Sequence, residues 1–395
     1  MARVVVYQSF ISGFGGAERV LFEQLIYLSR KDLAPTLLTF GIRNAEQYRQ
    51  YLASIRVRLL RGTNFAARVM SLARSLLELK PDLVICANGW EELYLASTIA
   101  RVPYILHIHG TLFWFPEDTM KYSLLHRGVF HEIRNSLVGH REFIPTKVKV
   151  SLAGRLWLEL ASVLDYFAVR KAKEVIVITP RVRWEVRKLY KRDAVVGRPC
   201  LTPGIFDHVA RSDIRRDLNL PDDARIVLSV SRLDARKRLD LLIRSFAALS
   251  QRTKNVVLII VGTGPDEARL KALARQLDCS GITLFAGFVH EDRLWDYYRA
   301  CEVFTCPCWT TSPMTAYEAL AFEKKVVWTS EASEPREILE DPHVFLTEPD
   351  TESFANGLER ALRAEVKSSI PLRECTLEKY FDTVYEVSRK YLHNA

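Results

Sequence analysis

Short apolar runs of strand length alternate with amphipathic helical segments along most of this chain, and this alternation restricts the possible folds more than any other feature. Runs in the first half lie at Arg3–Gln8, Pro35–Phe40, Asp82–Ala87, Tyr104–His109 and Glu174–Thr179. Unbroken hydrophobicity is typical of strands buried on both faces, and a regular succession of strand and helix favours a parallel sheet covered by helices on both sides. The pattern therefore predicts an α/β fold.

A second series of the same kind follows the cluster of Pro199, Pro203 and Gly204, which indicates a linker. Its strands are predicted at Arg225–Val230, Asn255–Val261, Ile282–Phe288, Glu302–Cys306 and Lys325–Trp328. A chain of 395 residues is long enough for two cores. We predict two Rossmann-like, doubly wound domains, residues 1–200 and 201–376, facing each other across a cleft with ligands at the carboxyl ends of the strands.

The alternation breaks down between residues 111 and 150, which carry aromatic and basic side chains without a regular period. We interpret this stretch as an insertion. A helical period returns directly afterwards, because apolar residues recur three or four positions apart at Leu152, Leu156, Leu160, Val163 and Phe167. These positions predict a helix with one apolar stripe.

The net charge of +9 is concentrated in one block of the sequence. Residues 101–200 contain 18 Lys and Arg against nine Asp and Glu, so the rest of the chain is balanced. One face of the first domain is therefore predicted to be basic, which suits nucleic acid, anionic lipid, a phosphorylated substrate or a solvated surface. No nucleic-acid recognition motif accompanies the charge, and no run approaches the roughly 20 apolar residues of a membrane-spanning helix, so we expect a cytoplasmic protein that does not bind nucleic acid.

The seven cysteines are scattered through apolar segments, which favours reduced thiols in the core over a disulfide framework. Cys306-Pro307-Cys308 has the spacing of half a zinc site. No second pair of Cys or His at matching spacing accompanies it, so we predict no metal.

Cations suited to a diphosphate follow the first strand of the second series. Arg232 and Lys237 lie between a predicted strand and a predicted helix, where a guanidinium can bind phosphate as a fork and an ammonium as a point charge. Gly262-Thr263-Gly264 follows the next strand in the same way, and Gly15-Gly16 follows the first strand of the chain; small residues there let backbone N–H groups approach a ligand. Solvated loop cations and ordinary tight turns are the alternatives.

Taken in order, these motifs resemble those of glycosyltransferase family 4 over residues 1–365. The resemblance rests on Gly15-Gly16-Ala17-Glu18, His109-Gly110, Ser231-Arg232-Leu233 with Lys237, Gly262-Thr263-Gly264-Pro265, Gly287-Phe288-Val289 and Glu318-Ala319. It implies the GT-B fold and a retaining transfer of sugar from a UDP- or GDP-linked donor, without metal or cofactor. It also implies that a helix at about 377–395 packs back on the first domain.

The resemblance assigns roles to particular residues. Arg232 and Lys237 would neutralise the donor diphosphate, Glu318 would accept hydrogen bonds from the ribose hydroxyls, and His109 would stand near the transferred sugar. Other donor contacts are expected from Gly15, Gly16, Gly262, Gly264, Thr310, Thr311, Met314 and Thr315.

One family position differs in this chain. The family pattern has a pair of glutamates eight positions apart, and Thr310 stands eight positions before Glu318, with Thr311 beside it. The first glutamate helps to hold the donor sugar, so the identity of the sugar stays open. Two alternatives to transfer also stay open: a sugar-nucleotide-binding protein of this fold with impaired catalysis, and a nucleotide-sugar epimerase.

Two histidines alternate in Leu106-His107-Ile108-His109, so a strand would direct both to the same side of the sheet. No third ligand at useful spacing makes them a metal site. We expect His109 at the end of the strand and His107 as a core histidine with its hydrogen bonds satisfied.

The insertion supplies a candidate membrane contact. In the family the first domain takes the acceptor, and members that glycosylate lipid-linked acceptors dock on anionic membrane through basic and aromatic residues there. The resemblance therefore implies a peripheral protein at the inner face of the cell membrane, acting on a lipid-linked acceptor. The residues of suitable character are Phe113, Trp114, Phe115, Lys121 and Arg127.

Overall fold

A computed structural model describes residues 3–11, 16–31, 33–43, 45–110, 112, 132, 151–197, 201–308, 314–332, 334, 336–367, 372 and 375–392. The chain divides into two compact units. Unit 1 comprises Met1–Pro199 together with Leu377–Ala395, and unit 2 comprises Cys200–Thr376.

Unit 1 is built on a seven-stranded parallel sheet with the strand order β3-β2-β1-β4-β5-β6-β7. β1 and the neighbouring strands at the centre are buried on both faces, as their unbroken apolar sequences require. The strands are β1 Val4–Gln8, β2 Thr36–Thr39, β3 Arg56–Leu59, β4 Leu83–Asn88, β5 Tyr104–Ile108, β6 Val175–Val177 and β7 Val195–Val196.

The helices of unit 1 begin and end at recognisable signals. Asn64 accepts a hydrogen bond from Ala67 N at the start of one helix, and Thr179 caps another whose first residue is Pro180. The helices are Gly16–Ser29, Arg49–Leu52, Phe65–Leu79, Trp90–Ala100, Leu152–Lys171, Pro180–Tyr190 and Leu377–Leu392. The last of these contacts the first, with the rings of Tyr27 and Phe381 5.4 Å apart.

Unit 2 is built on a six-stranded parallel sheet with the order β10-β9-β8-β11-β12-β13. Ile226 and Leu228 of β8 belong to one hydrophobic cluster and Val227 belongs to another, so alternate side chains fill the cores on the two faces of the sheet. The strands are β8 Arg225–Val230, β9 Val256–Val261, β10 Thr283–Gly287, β11 Val303–Cys306, β12 Lys325–Thr329 and β13 Val344–Thr347. The helices are Ile214–Asp217, Leu239–Ser250, Glu267–Gln276, Glu291–Ala300, Met314–Ala321, Arg336–Leu339 and Thr351–Arg363.

Each sheet has a switch point where the strand order reverses. β1 lies between β2 and β4, and β8 lies between β9 and β11. In open α/β sheets, ligands bind outside the carboxyl ends of the strands at such points. The loops after β1 and β8 are therefore the places in each unit where a ligand site is expected.

The structure confirms the predicted fold class. It adds β3, β7 and β13 and the helices Pro180–Tyr190 and Thr351–Arg363, which the apolar pattern did not indicate. No disulfide joins the six cysteines in the described ranges, and five of them are buried. No helix among the described residues combines the length and the apolar character needed to cross a bilayer.

Candidate functional site

The loop after β8 carries an exposed arginine on a firmly held backbone. Asp234 caps the 3-10 turn Ala235–Lys237: its Oδ1 accepts a hydrogen bond from Arg236 N at 3.1 Å, and its Oδ2 accepts one from the Arg236 guanidinium at 2.8 Å. Arg232 Nε lies 3.9 Å from the same carboxylate, and the Arg232 side chain is 57% exposed. Because Arg236 already offsets the charge of Asp234, Arg232 can meet an anion from solution.

Lys237 lies near the end of β11. The pKa of Cys306, the last residue of that strand, is held well above its ordinary value by the hydrogen bond with Cys308 and by burial, and the positive charge of Lys237 opposes this rise. The Sγ atoms of Cys306 and Cys308 are 3.5 Å apart. Lys237 thus places its charge near the end of β11, next to β8 at the switch point of unit 2.

The glycines after β9 allow two loops to lie in contact. A Cβ atom at Gly262, where φ is +130°, would stand 1.9 Å from Ser231 O, and one at Gly264 would stand 2.2 Å from Leu233 O. The loops are joined by hydrogen bonds from Ser231 N to Val261 O and from Leu233 N to Thr263 O, both 3.0 Å. Gly262 and Gly264 are therefore required by the packing of one loop against the other, a reason different from the ligand approach that the sequence suggested.

Two further groups at this edge were missed from the sequence. The Ser231 hydroxyl is buried without a hydrogen-bond partner among the described residues, so it can donate to a bound ligand. Arg238, buried and in the left-handed region at φ 51°, donates through Nη1 to Glu331 Oε2 at 2.9 Å and ties the loop after β12 to the loop after β8. The sequence Arg236-Lys237-Arg238 contains no glycine or asparagine that would have indicated a left-handed backbone at Arg238.

Glu318 lies on the helix Met314–Ala321, which starts beyond the end of β11. Its side chain is buried, and its Oε2 accepts a hydrogen bond from the buried Tyr298 hydroxyl at 2.9 Å. Met314 and Thr315 lie half-buried in the first turn of the same helix. Tyr298, which fixes the carboxylate, gave no signal in the sequence.

The two histidines of unit 1 lie on the same side of β5, as their alternation predicted. Their ring centroids are 4.0 Å apart, and the ring of Tyr380 on the final helix lies 5.3 Å from His107. Burial lowers the pKa of His109 to about 4 and that of His107 well below its ordinary value, so both imidazoles are neutral at pH 7. His107 is buried as expected, but its Nε2 has no partner among the described residues, so the prediction of a satisfied histidine was wrong.

A buried carboxylate that the sequence did not indicate lies at the carboxyl ends of β1 and β4. Glu92 accepts hydrogen bonds from the Tyr7 hydroxyl at 2.7 Å and the Ser9 hydroxyl at 2.9 Å, and it pairs with Arg68. Burial and the charge of Glu92 raise the pKa of Tyr7. Gly89 packs against this network, since a Cβ there would stand 2.8 Å from Glu92 Oε2.

Gly16 is exposed and begins the helix Gly16–Ser29, at the loop that follows β1. The other predicted positions lie outside the described residues. They are Gly15, Phe113, Trp114, Phe115, Lys121, Arg127, Thr310 and Thr311. Within the described ranges no three His, Cys, Asp or Glu side chains gather in a way that could hold a metal ion.

Two known protein families together match most of the chain. Residues 14–196 match the family described as Glycosyltransferase Family 4, and residues 210–374 match the family described as Glycosyl transferases group 1. With one match in each unit, the chain is a glycosyltransferase of the Family 4/group 1 type.

Individual relatives match shorter segments. An uncharacterized glycosyltransferase of Methanocaldococcus jannaschii is 26% identical over 208 residues, 50% of this chain and 53% of that protein. D-inositol 3-phosphate glycosyltransferase 2 of Catenulispora acidiphila is 31% identical over 175 residues, 40% of each chain. The N-acetylgalactosamine-N,N'-diacetylbacillosaminyl-diphospho-undecaprenol 4-alpha-N-acetylgalactosaminyltransferase of Campylobacter jejuni is 32% identical over 172 residues, 42% of this chain and 45% of that protein. The chain thus spans about half or less of the length of these relatives.

Solved structures resemble the chain over its whole length. A glycosyltransferase from Rickettsia africae has a TM-score of 0.73 at 15% identity and covers 100% of this chain and 99% of its own. Anabaena Alr3699/HepE in complex with UDP-glucose has a TM-score of 0.69 at 18% identity, with coverage of 100% and 99%. At these identities the likeness shows the fold, which is GT-B.

Proposed function

We propose that this glycosyltransferase takes its sugar from a nucleotide diphosphate donor and transfers it to an acceptor hydroxyl. The observation that carries the proposal is the exposed Arg232 with Lys237 at the switch point of unit 2. A donor diphosphate is anionic, and its charge rises as the bond to the sugar breaks. Positioned cations stabilise that developing charge more than they stabilise the bound donor, which is the condition for accelerating the reaction.

Further groups at the same edge suit the donor. The buried Ser231 hydroxyl can donate to a phosphate oxygen, and Glu318, held by Tyr298, can accept from the ribose hydroxyls. The complex of Anabaena Alr3699/HepE with UDP-glucose supports a uridine donor. A guanosine donor stays within the proposal.

The proposed transfer retains the configuration of the anomeric carbon. The bond from that carbon to the phosphate oxygen breaks, the acceptor oxygen bonds to the same face, and the leaving phosphate oxygen takes the proton of the acceptor hydroxyl. No side chain is needed as a base, and the side chains of Arg232 and Lys237 supply the positive charge without a metal ion.

A lipid-linked acceptor is the second part of the proposal. The name of the Campylobacter relative includes a diphospho-undecaprenol acceptor, which supports this class. The positive charge of residues 101–200 suits an anionic membrane surface. The proposed place of action is the cytoplasmic side of the cell membrane, at its periphery.

A donor screen tests the proposal. The melting temperature of the full chain would be measured with UDP-glucose, UDP-N-acetylglucosamine and GDP-mannose, with uridine and inorganic pyrophosphate as controls, because a ligand that binds the folded state raises its stability. We expect one donor to stabilise the chain more than either control. Transfer from that donor to an undecaprenyl diphosphate sugar or a phospholipid would then be followed by the release of nucleoside diphosphate.

The outcomes separate the alternatives. Stabilisation together with transfer supports the proposal. Stabilisation without transfer to any acceptor would indicate a binding protein, and conversion of the free donor into its epimer would indicate an epimerase. A chain that no sugar nucleotide stabilises would contradict the proposal.

A further inference from the structure

The helix Leu152–Lys171 turns its large apolar side chains toward solvent. Its buried face carries small or polar residues, namely Ala161, Ser162, Asp165, Ala168 and Val169. The opposite face carries Leu152, Leu156, Leu160, Val163 and Phe167, which are 75%, 60%, 50%, 40% and 42% exposed. This arrangement is the reverse of an ordinary surface helix, where the apolar stripe faces the core.

Hydrogen bonds fix the rotation of this helix. The Tyr190 hydroxyl donates to the buried Asp165 Oδ2 at 2.7 Å, and the Tyr104 hydroxyl donates to Ala168 O at 2.7 Å. Rolling the helix to bury its apolar face would leave these buried groups unpaired, at a cost comparable to the gain from burial. The exposed apolar face is therefore built into unit 1.

The exposed side chains form one continuous row. Their spacing of four, four, three and four residues keeps them on one side of the helix over about 22 Å, at a rise of about 1.5 Å per residue. Trp157 is also exposed at 42%, at the margin of this row, where it contacts Phe65. Contiguous apolar surface of this kind marks a contact with another molecule or with a membrane.

Cations stand at both ends of the row. Arg155 is exposed near its start, and Arg170 and Lys171 are exposed at its end, while Glu159 is the one exposed acid of this helix. Long basic side chains can keep their charge at lipid headgroups while the apolar side chains between them enter the bilayer boundary.

We propose that the face formed by Leu152, Leu156, Leu160, Val163 and Phe167 docks on an anionic lipid bilayer, with the helix lying in the plane of the interface. The inference rests on the proposed function in one respect, since a lipid-linked acceptor requires the enzyme at a membrane. Docking itself needs neither donor nor acceptor.

The charges favour a membrane over a second copy of the chain. A second copy paired on this face would present the same excess of positive charge, since Arg155, Arg170 and Lys171 are exposed against one exposed acid, Glu159, on this helix. An anionic surface instead attracts both ends of the row.

Vesicle binding tests the proposal with the full chain and no substrate. Flotation would be measured with phosphatidylcholine vesicles and with vesicles containing about one third phosphatidylglycerol, at low and high salt. We expect Leu156→Ser/Leu160→Ser to lower binding to the anionic vesicles about tenfold or more. The matched control is Leu59→Ser/Val209→Ser, which removes two apolar side chains elsewhere that are at least as exposed, and it is expected to stay within about twofold of the wild type.

The charged ends give an independent variant. Arg155→Gln/Lys171→Gln is expected to lower binding to anionic vesicles about tenfold and to leave the weak binding to neutral vesicles unchanged. Failure of the wild type to bind anionic vesicles at low salt would overturn the inference. So would unchanged binding by the Leu156→Ser/Leu160→Ser variant, or a wild-type dimer in sedimentation that this variant dissociates.

Failure here and failure of the proposed function have different signatures. If the chain transfers sugar but does not bind anionic vesicles, only the proposed docking surface is contradicted. A chain that binds vesicles as described but neither binds nor transfers from any sugar nucleotide contradicts the proposed function alone.

Discussion

The carboxyl edges of the two sheets carry opposite kinds of polar group. In unit 2 the edge presents Arg232 to solvent and Lys237 beside β11, on loops locked together at Gly262. In unit 1 the corresponding edge holds the neutral His109, just after β5, and the carboxylate of Glu92, which is already bonded to its neighbours.

This difference separates two tasks. An anion such as a diphosphate gains from an exposed cation that loses little hydration before binding, as at Arg232. A buried imidazole with a lowered pKa offers only neutral hydrogen bonds, which suit uncharged hydroxyls. We infer that the negative charge of the substrate is met in unit 2, and the predictions below test that division.

The largest effect is expected from removing the cations of unit 2. Arg232→Ala or Lys237→Ala should lower kcat/KM about 100- to 1,000-fold, because each removes a charge that stabilises the leaving diphosphate. Steady-state kinetics with the donor found in the screen would measure it. Arg244→Ala and Lys254→Ala, which remove exposed cations of the same unit, are the controls. Near-wild-type turnover in both site variants would show that the negative charge of the substrate is not met by these cations of unit 2.

The backbone beneath these cations is tested by Gly262→Ala. The new Cβ would stand 1.9 Å from Ser231 O at a φ of +130°, so we expect a loss of about 3 kcal/mol or more in the free energy of unfolding of unit 2. Gly281→Ala, where a Cβ would meet nothing within 4 Å, should change it little. Chemical denaturation of both variants would measure the difference, and equal stabilities would refute the tight loop packing.

The neutral edge of unit 1 predicts a pH dependence. His109 takes up a proton near pH 6.5 in the unfolded chain but only near 4 in the folded chain, so stability should be full above pH 6.5 and fall as the pH drops toward 4. The share lost from His109 is on the order of 3 kcal/mol. Denaturant titrations at several pH values would show it, and His109→Asn should flatten the curve. An unchanged slope in that variant would count against a neutral His109 in the folded chain.

Tyr298→Phe tests the fixing of Glu318. Loss of the hydrogen bond to Oε2 leaves the carboxylate less well oriented toward the ribose, so the donor KM should rise about three- to tenfold with kcat within about twofold. Tyr297→Phe, whose hydroxyl makes no described hydrogen bond, is the neighbouring control. If Tyr298→Phe lowered kcat and left the donor KM unchanged, Glu318 would not act by binding the ribose.

The smallest effect is expected from chelation. If Arg232 and Lys237 supply the positive charge, EDTA should change the transfer rate by less than about twofold. Rates with EDTA and with added Mg²⁺ would decide between side chains and a metal ion. Loss of activity in EDTA that Mg²⁺ restores would show that unit 2 needs a metal to complete its charge.

Most of both sheets could be predicted from sequence because their central strands are buried on both faces and therefore uniformly apolar. β3, Arg56–Leu59, was not predicted, because it lies at the edge of the sheet and its alternating arginines interrupt the apolar pattern. The helix Pro180–Tyr190 is strongly basic, yet Thr179 followed by Pro180 is a helix-start signal that could have indicated it. Asp350 likewise caps the helix Thr351–Arg363.

The candidate site was predictable in part. The order of strand, loop and helix located Arg232 and Lys237 at a strand end, and the family resemblance was confirmed by the family matches. Arg238 and Tyr298 could not be found that way, because their importance depends on partners distant in sequence: Glu331 for Arg238 and Glu318 for Tyr298. Ser231 stands in a sequence motif, but the burial of its hydroxyl is visible only in the structure.

The sequence by itself determined where most of the strands and helices form and that cations follow β8, since periodicity and chain order are local properties. The tertiary structure decided which faces those elements bury. Leu152 to Phe167 mark a helical stripe in the sequence, but Tyr190 and Asp165 hold that helix with the stripe outward. Gly262 likewise marks a turn in the sequence, while the carbonyl of Ser231 against it explains why no larger residue fits. Burial and hydrogen bonding between distant segments set these outcomes, and neither is encoded at one position.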